Sequence, residues 1–191
     1  MSAAAPVLIV PGWTNSGPEH WQSRWERVHP EWRRVEQVDW DRPEPGPWLA
    51  ALDAAIGEAH ARTGRAPVLV GHSLGALLPA LRAAAQPTVG VTARAVAGAL
   101  LVAPPDVEQP DTPAALRAFG PVPLAPLPFP SVLAASRDDA YLSFARAEQL
   151  ARAWGARLHD CGTAGHLNTA SGHGPWPDGE RLLAALLARV S

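Results

Sequence analysis

Residues 67–75 read Pro-Val-Leu-Val-Gly-His-Ser-Leu-Gly, and this stretch decides how the chain folds. The apolar run 68–70 has the length of a buried strand, and an apolar segment of helical character follows from Leu74 to Ala85. Between them stands G-x-S-x-G, a pattern that predicts a sharp strand–turn–helix with Ser73 at its tip. Glycine is expected two residues on either side of Ser73 because larger side chains would collide there. Without this setting, the same five residues would indicate only a glycine-rich turn.

Strand-length apolar runs alternate with helical stripes along the whole chain. We predict a single domain, residues 1–191, with a mostly parallel sheet covered by helices on both faces, which is a three-layer α/β sandwich. Functional groups should lie on loops at the carboxyl ends of the strands. The predicted strands are 7–10, 33–38, 68–70, 97–103, 131–135 and 156–158. The predicted helices are one that begins at a capping box in 16–19, then 47–61, 74–85, one about 144–154, and a last one capped by Asp178.

Composition excludes several classes of function. The formal net charge is -2, and no basic stripe favours a nucleic acid or an acidic membrane surface as partner. All 16 basic residues are arginine, which excludes a Schiff-base lysine and a phosphate-binding P-loop lysine. Cys161 is the only cysteine, and no two histidines have the helical i, i+4 spacing, so we expect neither a disulfide nor a metal site. The apolar start, residues 1–10, has no basic residues and is too short for a signal peptide or a membrane span, so we expect a cytoplasmic protein.

Ser73 requires a base to become a nucleophile, and the later loops offer one. In the hydrolase arrangement that uses this turn, the chain order is serine, then an acidic residue, then histidine. Asp138 and Asp139 follow the predicted strand 131–135, and His166 follows the strand near residue 156. Either aspartate could orient the imidazole. His166 is the preferred base, with His173 as the reserve candidate.

Further positions around Ser73 can be assigned from the same topology. The backbone N–H of Leu74, directly after the nucleophile, should be one oxyanion donor, and that of Trp13, after the first strand, the other. The His72 side chain is expected to point away from that of Ser73. Trp176 follows the His166 loop and is a candidate for the wall of the site. The proline-rich segment 104–130 is expected to narrow the pocket.

Four stretches resemble one family of small serine hydrolases, the family that includes retinoblastoma-binding protein 9 and the bacterial YdeN-type hydrolases. They span residues 10–168, nearly the whole chain. They are Val10-Pro11-Gly12-Trp13 with Ser16-Gly17-Pro18-Glu19-His20-Trp21-Gln22, then Gly71-His72-Ser73-Leu74-Gly75, then Ser136-Arg137-Asp138-Asp139, and Gly165-His166-Leu167-Asn168. The resemblance implies an α/β-hydrolase-like fold with no large cap domain.

The resemblance also implies a catalytic triad of Ser73, Asp139 and His166. The family usually has proline after its second aspartate, and this chain has Ala140 there. We expect a carboxylesterase that cleaves small acyl esters through an acyl-enzyme and needs no cofactor. The same motifs are compatible with two alternatives. One is a non-catalytic binding module with the same fold, and the other is an amidase, lactonase or acyltransferase that uses the same triad.

Overall fold

A central sheet of six parallel strands organises the molecule. The structure is a computed structural model that describes residues 5–85 and 96–190. The strand order is β2-β1-β3-β4-β5-β6. The strands are β1 (Val7–Val10), β2 (Arg33–Arg34), β3 (Val68–His72), β4 (Gly98–Val102), β5 (Ser131–Ala135) and β6 (Arg157–Asp160). The predicted parallel sheet is confirmed.

Helices cover both faces of the sheet, so the predicted three-layer sandwich is also confirmed. The helices are α1 (Trp21–Val28), α2 (Pro45–Thr63), α3 (Leu74–Ala85), α4 (Ala114–Arg117), α5 (Phe144–Trp154) and α6 (Pro177–Val190), with a 3-10 turn at Thr169–Ser171. None of the helices within the described residues is long and apolar enough to cross a membrane.

The alternation of side chains along the strands divides the core into two clusters. Leu8 and Val10 of β1 belong to a cluster with α2, α3 and α5, whereas Val7 and Ile9 belong to a cluster with α1 and α6. This follows from the two-residue period of a strand, in which neighbouring side chains point to opposite faces. All four residues are buried, as expected for a parallel strand covered on both sides.

Two predicted helix starts are wrong. The capping box in 16–19 does not begin α1, because the cap is His20, whose Nδ1 accepts a hydrogen bond from the Gln22 amide. Ser16 instead donates its hydroxyl proton to Gln22 Oε1 at 2.6 Å. Asp178 does not cap α6 but lies inside its first turn and contacts His159 across to β6.

The second strand is shorter than the predicted 33–38. Its last sheet contact is the Val35 amide bonded to the carbonyl of Ile9 at 2.8 Å. Beyond this point the chain leaves the sheet edge, and Val38 is 84% exposed. β2 is an edge strand with only one neighbour, so β1 alone limits its length.

Candidate active site

Ser73 lies at the tip of a strained turn between β3 and α3. Its φ of 53° is in the left-handed region, which side chains other than glycine rarely adopt. The glycines of the motif permit the close packing of this turn. A Cβ at Gly75 would lie 2.1 Å from the carbonyl oxygen of Val10, and a Cβ at Gly71 would lie 2.5 Å from that of Gly75. The turn is also bound to the sheet, because the Ser73 amide donates to the carbonyl of Val102 at 2.9 Å.

His166 meets Ser73 from the loop that follows β6. Its Nε2 lies 3.0 Å from Ser73 Oγ, and its side chain is 12% exposed. The distance is within hydrogen-bond range. The reserve candidate His173 lies elsewhere, with its Nδ1 3.2 Å from the hydroxyl of Ser171. Of these two histidines, His166 is the one that the fold brings to the serine.

Asp139 contacts the far side of the same imidazole. Its two carboxylate oxygens lie 3.0 and 2.9 Å from His166 Nδ1, and its side chain is fully buried. The Tyr141 amide donates to Asp139 Oδ1 at 2.9 Å and so helps to fix the carboxylate. With Nδ1–H donating to Asp139, Nε2 is left as an acceptor for the Ser73 hydroxyl.

Asp138, the other candidate acid, makes different contacts. Its Oδ1 accepts hydrogen bonds from the Ser136 hydroxyl at 2.6 Å and from the Gly165 amide at 2.8 Å. These hydrogen bonds hold the pKa of the Asp138 carboxyl below its usual range, and the bond from the Ser136 hydroxyl has the larger effect. Asp138 therefore joins the loop after β5 to the loop that contains His166, but it does not contact the imidazole.

Two backbone N–H groups are available next to Ser73. Within the described residues, neither the Leu74 amide nor the Trp13 amide makes a hydrogen bond. Gly12 brings the first loop against the serine turn, since a Cβ there would lie 2.8 Å from Ser73 Cβ and 3.0 Å from the Leu74 nitrogen. The Trp13 indole points elsewhere and donates to the carbonyl of Asp41 at 2.9 Å.

A cavity of about 280 Å³ opens over Ser73 and His166. Its other walls come from residues 12–15, from residues 168–170, and from Gly17, His20, His72 and Tyr141. Two expectations about these walls are wrong. No residue of 104–130, a segment that the structure describes throughout, lines this cavity; the segment instead places Phe119 and other apolar side chains in the core. Trp176 is also a core residue and packs on Trp21 with ring centroids 5.0 Å apart.

The sequence did not predict the contacts that two buried aromatic residues make beneath the cavity. The His72 ring, which was expected to point away from the Ser73 side chain, lines the cavity wall, and its centroid lies 5.0 Å from that of His166. Its Nε2–H donates to the backbone carbonyl of His166 at 2.9 Å. The Trp21 indole donates to the next carbonyl, that of Leu167, also at 2.9 Å. The only sequence signal for these contacts was that Trp21 and His72 lie in two of the four stretches that resemble the hydrolase family.

Burial keeps two of the cavity histidines neutral. The pKa of His20 is lowered to about 4, first by burial and then by the positive charge of Arg34. Burial also lowers the pKa of His72 well below its ordinary value, with a smaller contribution from His20. Positive charge is therefore unfavourable at both positions at neutral pH.

Comparisons with known proteins identify the family and the fold. The model of a family described as serine hydrolase matches residues 7–185. A YdeN-like hydrolase from Pectobacterium atrosepticum superposes with a TM-score of 0.82 at 32% identity, over 98% of this chain and 92% of the other. The ydeN product of Bacillus subtilis superposes with a TM-score of 0.76 at 20% identity, over 96% of this chain and 99% of the other. An esterase from a Rhodococcus species, at 14% identity and a TM-score of 0.70, covers 100% of this chain and 93% of its own and shows only the shared fold. A comparison with curated protein sequences finds no significant match.

Proposed function

The chain belongs to the serine hydrolase family, and from this premise we propose that it cleaves small carboxylic esters through an acyl-enzyme formed on Ser73. The observation that carries the proposal is one continuous chain of contacts. Asp139 Oδ2 lies 2.9 Å from His166 Nδ1, and His166 Nε2 lies 3.0 Å from Ser73 Oγ. This is the order of contacts that a serine nucleophile with a general base requires.

The acylation step follows from these contacts. Ser73 Oγ forms a bond to the ester carbonyl carbon while its proton passes to His166 Nε2, and the carbonyl electron pair moves onto oxygen. Asp139 stabilises the imidazolium and keeps its orientation. The amides of Leu74 and Trp13 donate to the negative oxygen. When the tetrahedral adduct collapses, the bond to the alcohol breaks and His166 returns its proton to the leaving alkoxide oxygen.

Deacylation repeats the sequence with water. The water oxygen bonds to the acyl carbon while His166 Nε2 accepts a proton from the water. The bond between the acyl carbon and Ser73 Oγ then breaks, His166 returns the proton to Ser73 Oγ, and the carboxylic acid leaves. The side chains already described provide every proton transfer in this scheme.

The size of the cavity supports a small substrate. About 280 Å³ is slightly below the range of roughly 300–1,000 Å³ that is typical of pockets for drug-sized ligands. Polar residues also line it, among them Thr14, Asn15 and Asn168. We therefore propose short acyl groups rather than long fatty chains.

Labelling with a fluorophosphonate probe tests the nucleophile. We expect the wild type to be labelled at Ser73, with the site identified by peptide mass spectrometry, and Ser73→Ala to remain unlabelled. A wild-type protein that resists the probe would support a binding module instead. The matched control is Ser171→Ala, which removes a hydroxyl from the loop after β6 and leaves the nucleophile in place.

A substrate panel tests the bond that is cleaved. Aryl and alkyl esters of acetate, butyrate and octanoate should be compared with the matching amides and with lactones. We expect the highest kcat/KM for the short esters. A preference for amides or lactones would overturn the ester assignment while leaving the triad intact.

A further inference from the structure

Two ring N–H groups, one from an indole and one from an imidazole, donate to consecutive backbone carbonyls in the loop that contains His166. Trp21 Nε1–H donates to the carbonyl of Leu167, and His72 Nε2–H donates to that of His166, each at 2.9 Å. We call Trp21 and His72 the donor pair. Both are buried, with Trp21 at 0% and His72 at 6% exposure, so water cannot readily replace either bond.

The loop that they bind has an unfavourable backbone conformation. Leu167 has a φ of 50°, which is uncommon for a residue with a side chain. Gly165, two residues earlier, has a φ of 55°. Glycine adopts this conformation freely, but at Leu167 it persists only where the surrounding structure holds it in place. The donor pair binds the carbonyls of the two peptide groups on either side of the Leu167 Cα, which is the atom about which this unusual conformation turns.

The donor pair is itself rigidly placed. His72 ends β3 and directly precedes Ser73, so the same strand positions the serine and one donor. Trp21 begins α1, and the next residue, Gln22, binds α1 to the sheet by donating to the carbonyls of Val10 at 3.3 Å and Val70 at 3.0 Å. The Trp21 and His72 rings also meet edge to face, with centroids 5.9 Å apart.

From this arrangement we infer that Trp21 and His72 are positioning residues, which hold the backbone of the His166 loop so that its imidazole meets Ser73 Oγ. The inference rests on the proposed function, because it assigns a role to the residues behind the proposed base. It also explains the motif His20-Trp21-Gln22. His20 caps the helix, Trp21 binds the loop and Gln22 binds the sheet.

The chain offers a matched pair of variants for the test. Trp21→Phe removes the indole N–H but keeps an aromatic ring. Trp25→Phe makes the same change on the same helix and in the same core cluster, but the Trp25 N–H is buried and has no hydrogen-bond partner within the described residues. Any effect of lost indole volume should therefore occur in both variants, whereas loss of the loop contact occurs only in Trp21→Phe.

We expect Trp21→Phe to lower kcat for p-nitrophenyl acetate by about 100-fold, since a misplacement of about 1 Å in a catalytic group can cost that much. KM should change by less than about threefold because the cavity walls are retained. Trp25→Phe should keep kcat within about threefold of wild type. Equal kcat values for the two variants would overturn the inference.

Substitutions at His72 give an independent test by rescue. His72→Phe removes the donor, whereas the amide of His72→Gln can reach the position of Nε2. We expect His72→Phe to lose about as much kcat as Trp21→Phe, and His72→Gln to recover most of it. Failure of glutamine to do better than phenylalanine, with both variants folded by circular dichroism, would argue against the hydrogen bond as the cause.

A crystallographic readout separates this inference from the proposed function. If the wild type is inactive on every ester and is not labelled, the proposed function fails, but the donor pair can still be tested. Crystal structures of Trp21→Phe and Trp25→Phe should differ in the distance from Ser73 Oγ to His166 Nε2, which we expect to lengthen beyond hydrogen-bond range in Trp21→Phe alone. An unchanged distance in Trp21→Phe would overturn the inference.

Discussion

Replacing each of two adjacent aspartates by asparagine should distinguish the triad acid from its neighbour. Both substitutions keep the volume of the side chain and remove its negative charge. Asp139 contacts His166 Nδ1 with both oxygens, at 3.0 and 2.9 Å, whereas Asp138 contacts Ser136 and the Gly165 amide. The two variants therefore test the geometry with the same chemical change at neighbouring positions.

Asp139→Asn should abolish most of the activity because it reverses the imidazole tautomer. The new amide would donate to Nδ1, so the ring proton would move to Nε2, where it faces Ser73 as a donor. His166 could then no longer accept the serine proton. In a serine protease triad the corresponding change lowers kcat by about 10⁴-fold. At 1.36 kcal/mol for each factor of ten, this is about 5.4 kcal/mol of lost transition-state stabilisation.

Asp138→Asn should lower kcat by less than about tenfold. The asparagine oxygen can still accept from the Ser136 hydroxyl and from the Gly165 amide, so the link between the two loops is retained. No bond to His166 is lost.

Initial rates of p-nitrophenyl acetate hydrolysis at pH 8 provide the assay, with thermal melting as the control for folding. A greater loss of kcat in Asp138→Asn than in Asp139→Asn, or an Asp139→Asn variant with more than about a tenth of wild-type kcat, would refute the assignment of Asp139 as the triad acid.

Three further predictions concern the packing and the pH response of the fold. Gly75→Ala should prevent stable folding, because its Cβ would lie 2.1 Å from the Val10 carbonyl oxygen. The control Gly17→Ala, with no atom within 4 Å of its Cβ, should express and melt like wild type. Equal melting temperatures for the two variants would contradict the predicted clash at Gly75. Gly57→Ala, at an exposed position in the middle of α2, should raise the free energy of unfolding in urea by about 0.5–1 kcal/mol, and a decrease would show that the glycine has another role. The pKa of His20 falls from 6.5 to about 4 on folding, so between these values the unfolded chain binds a proton that the folded chain does not. The contribution of His20 to the free energy of unfolding should therefore be fully present above about pH 6.5 and should decline as the pH falls from 6.5 to about 4. His20→Asn, which can still cap α1, should show a smaller drop in urea midpoint between pH 7.5 and pH 5, and an unchanged drop would show that other groups cause it.

Much of the fold follows from local sequence patterns. The apolar runs predicted the four inner strands, β1, β3, β4 and β5, to within two residues, because a strand buried on both faces requires consecutive apolar side chains. The edge strand β6 was also predicted to within two residues, although it is only partly buried. The exception was β2, which extends for two residues rather than the predicted six. An edge strand is limited by its single neighbour, and no property of residues 33–38 alone encodes that limit.

Helix starts were harder to predict where the polar side chain expected to cap the helix has another partner. Ser16 has the right spacing for a capping box, yet its hydroxyl donates to Gln22 inside the helix, and His20 takes the capping position. Asp178 is drawn to His159 on β6. In both cases a side-chain contact other than the cap competes for the polar group, and the capping pattern alone cannot predict which contact prevails.

The sequence by itself determined the class of fold, the turn at Ser73 and the chain order of serine, acid and histidine. These are properties of neighbouring residues, whose backbone preferences and apolar spacing act over a few positions. Only the tertiary structure decided which aspartate meets His166, that Trp176 belongs to the core, and that Trp21 and His72 bind the His166 loop. Asp138 and Asp139 have the same chemistry and adjacent positions, so the direction of each side chain at the end of β5 makes the difference. That direction depends on how loops far apart in the chain pack together.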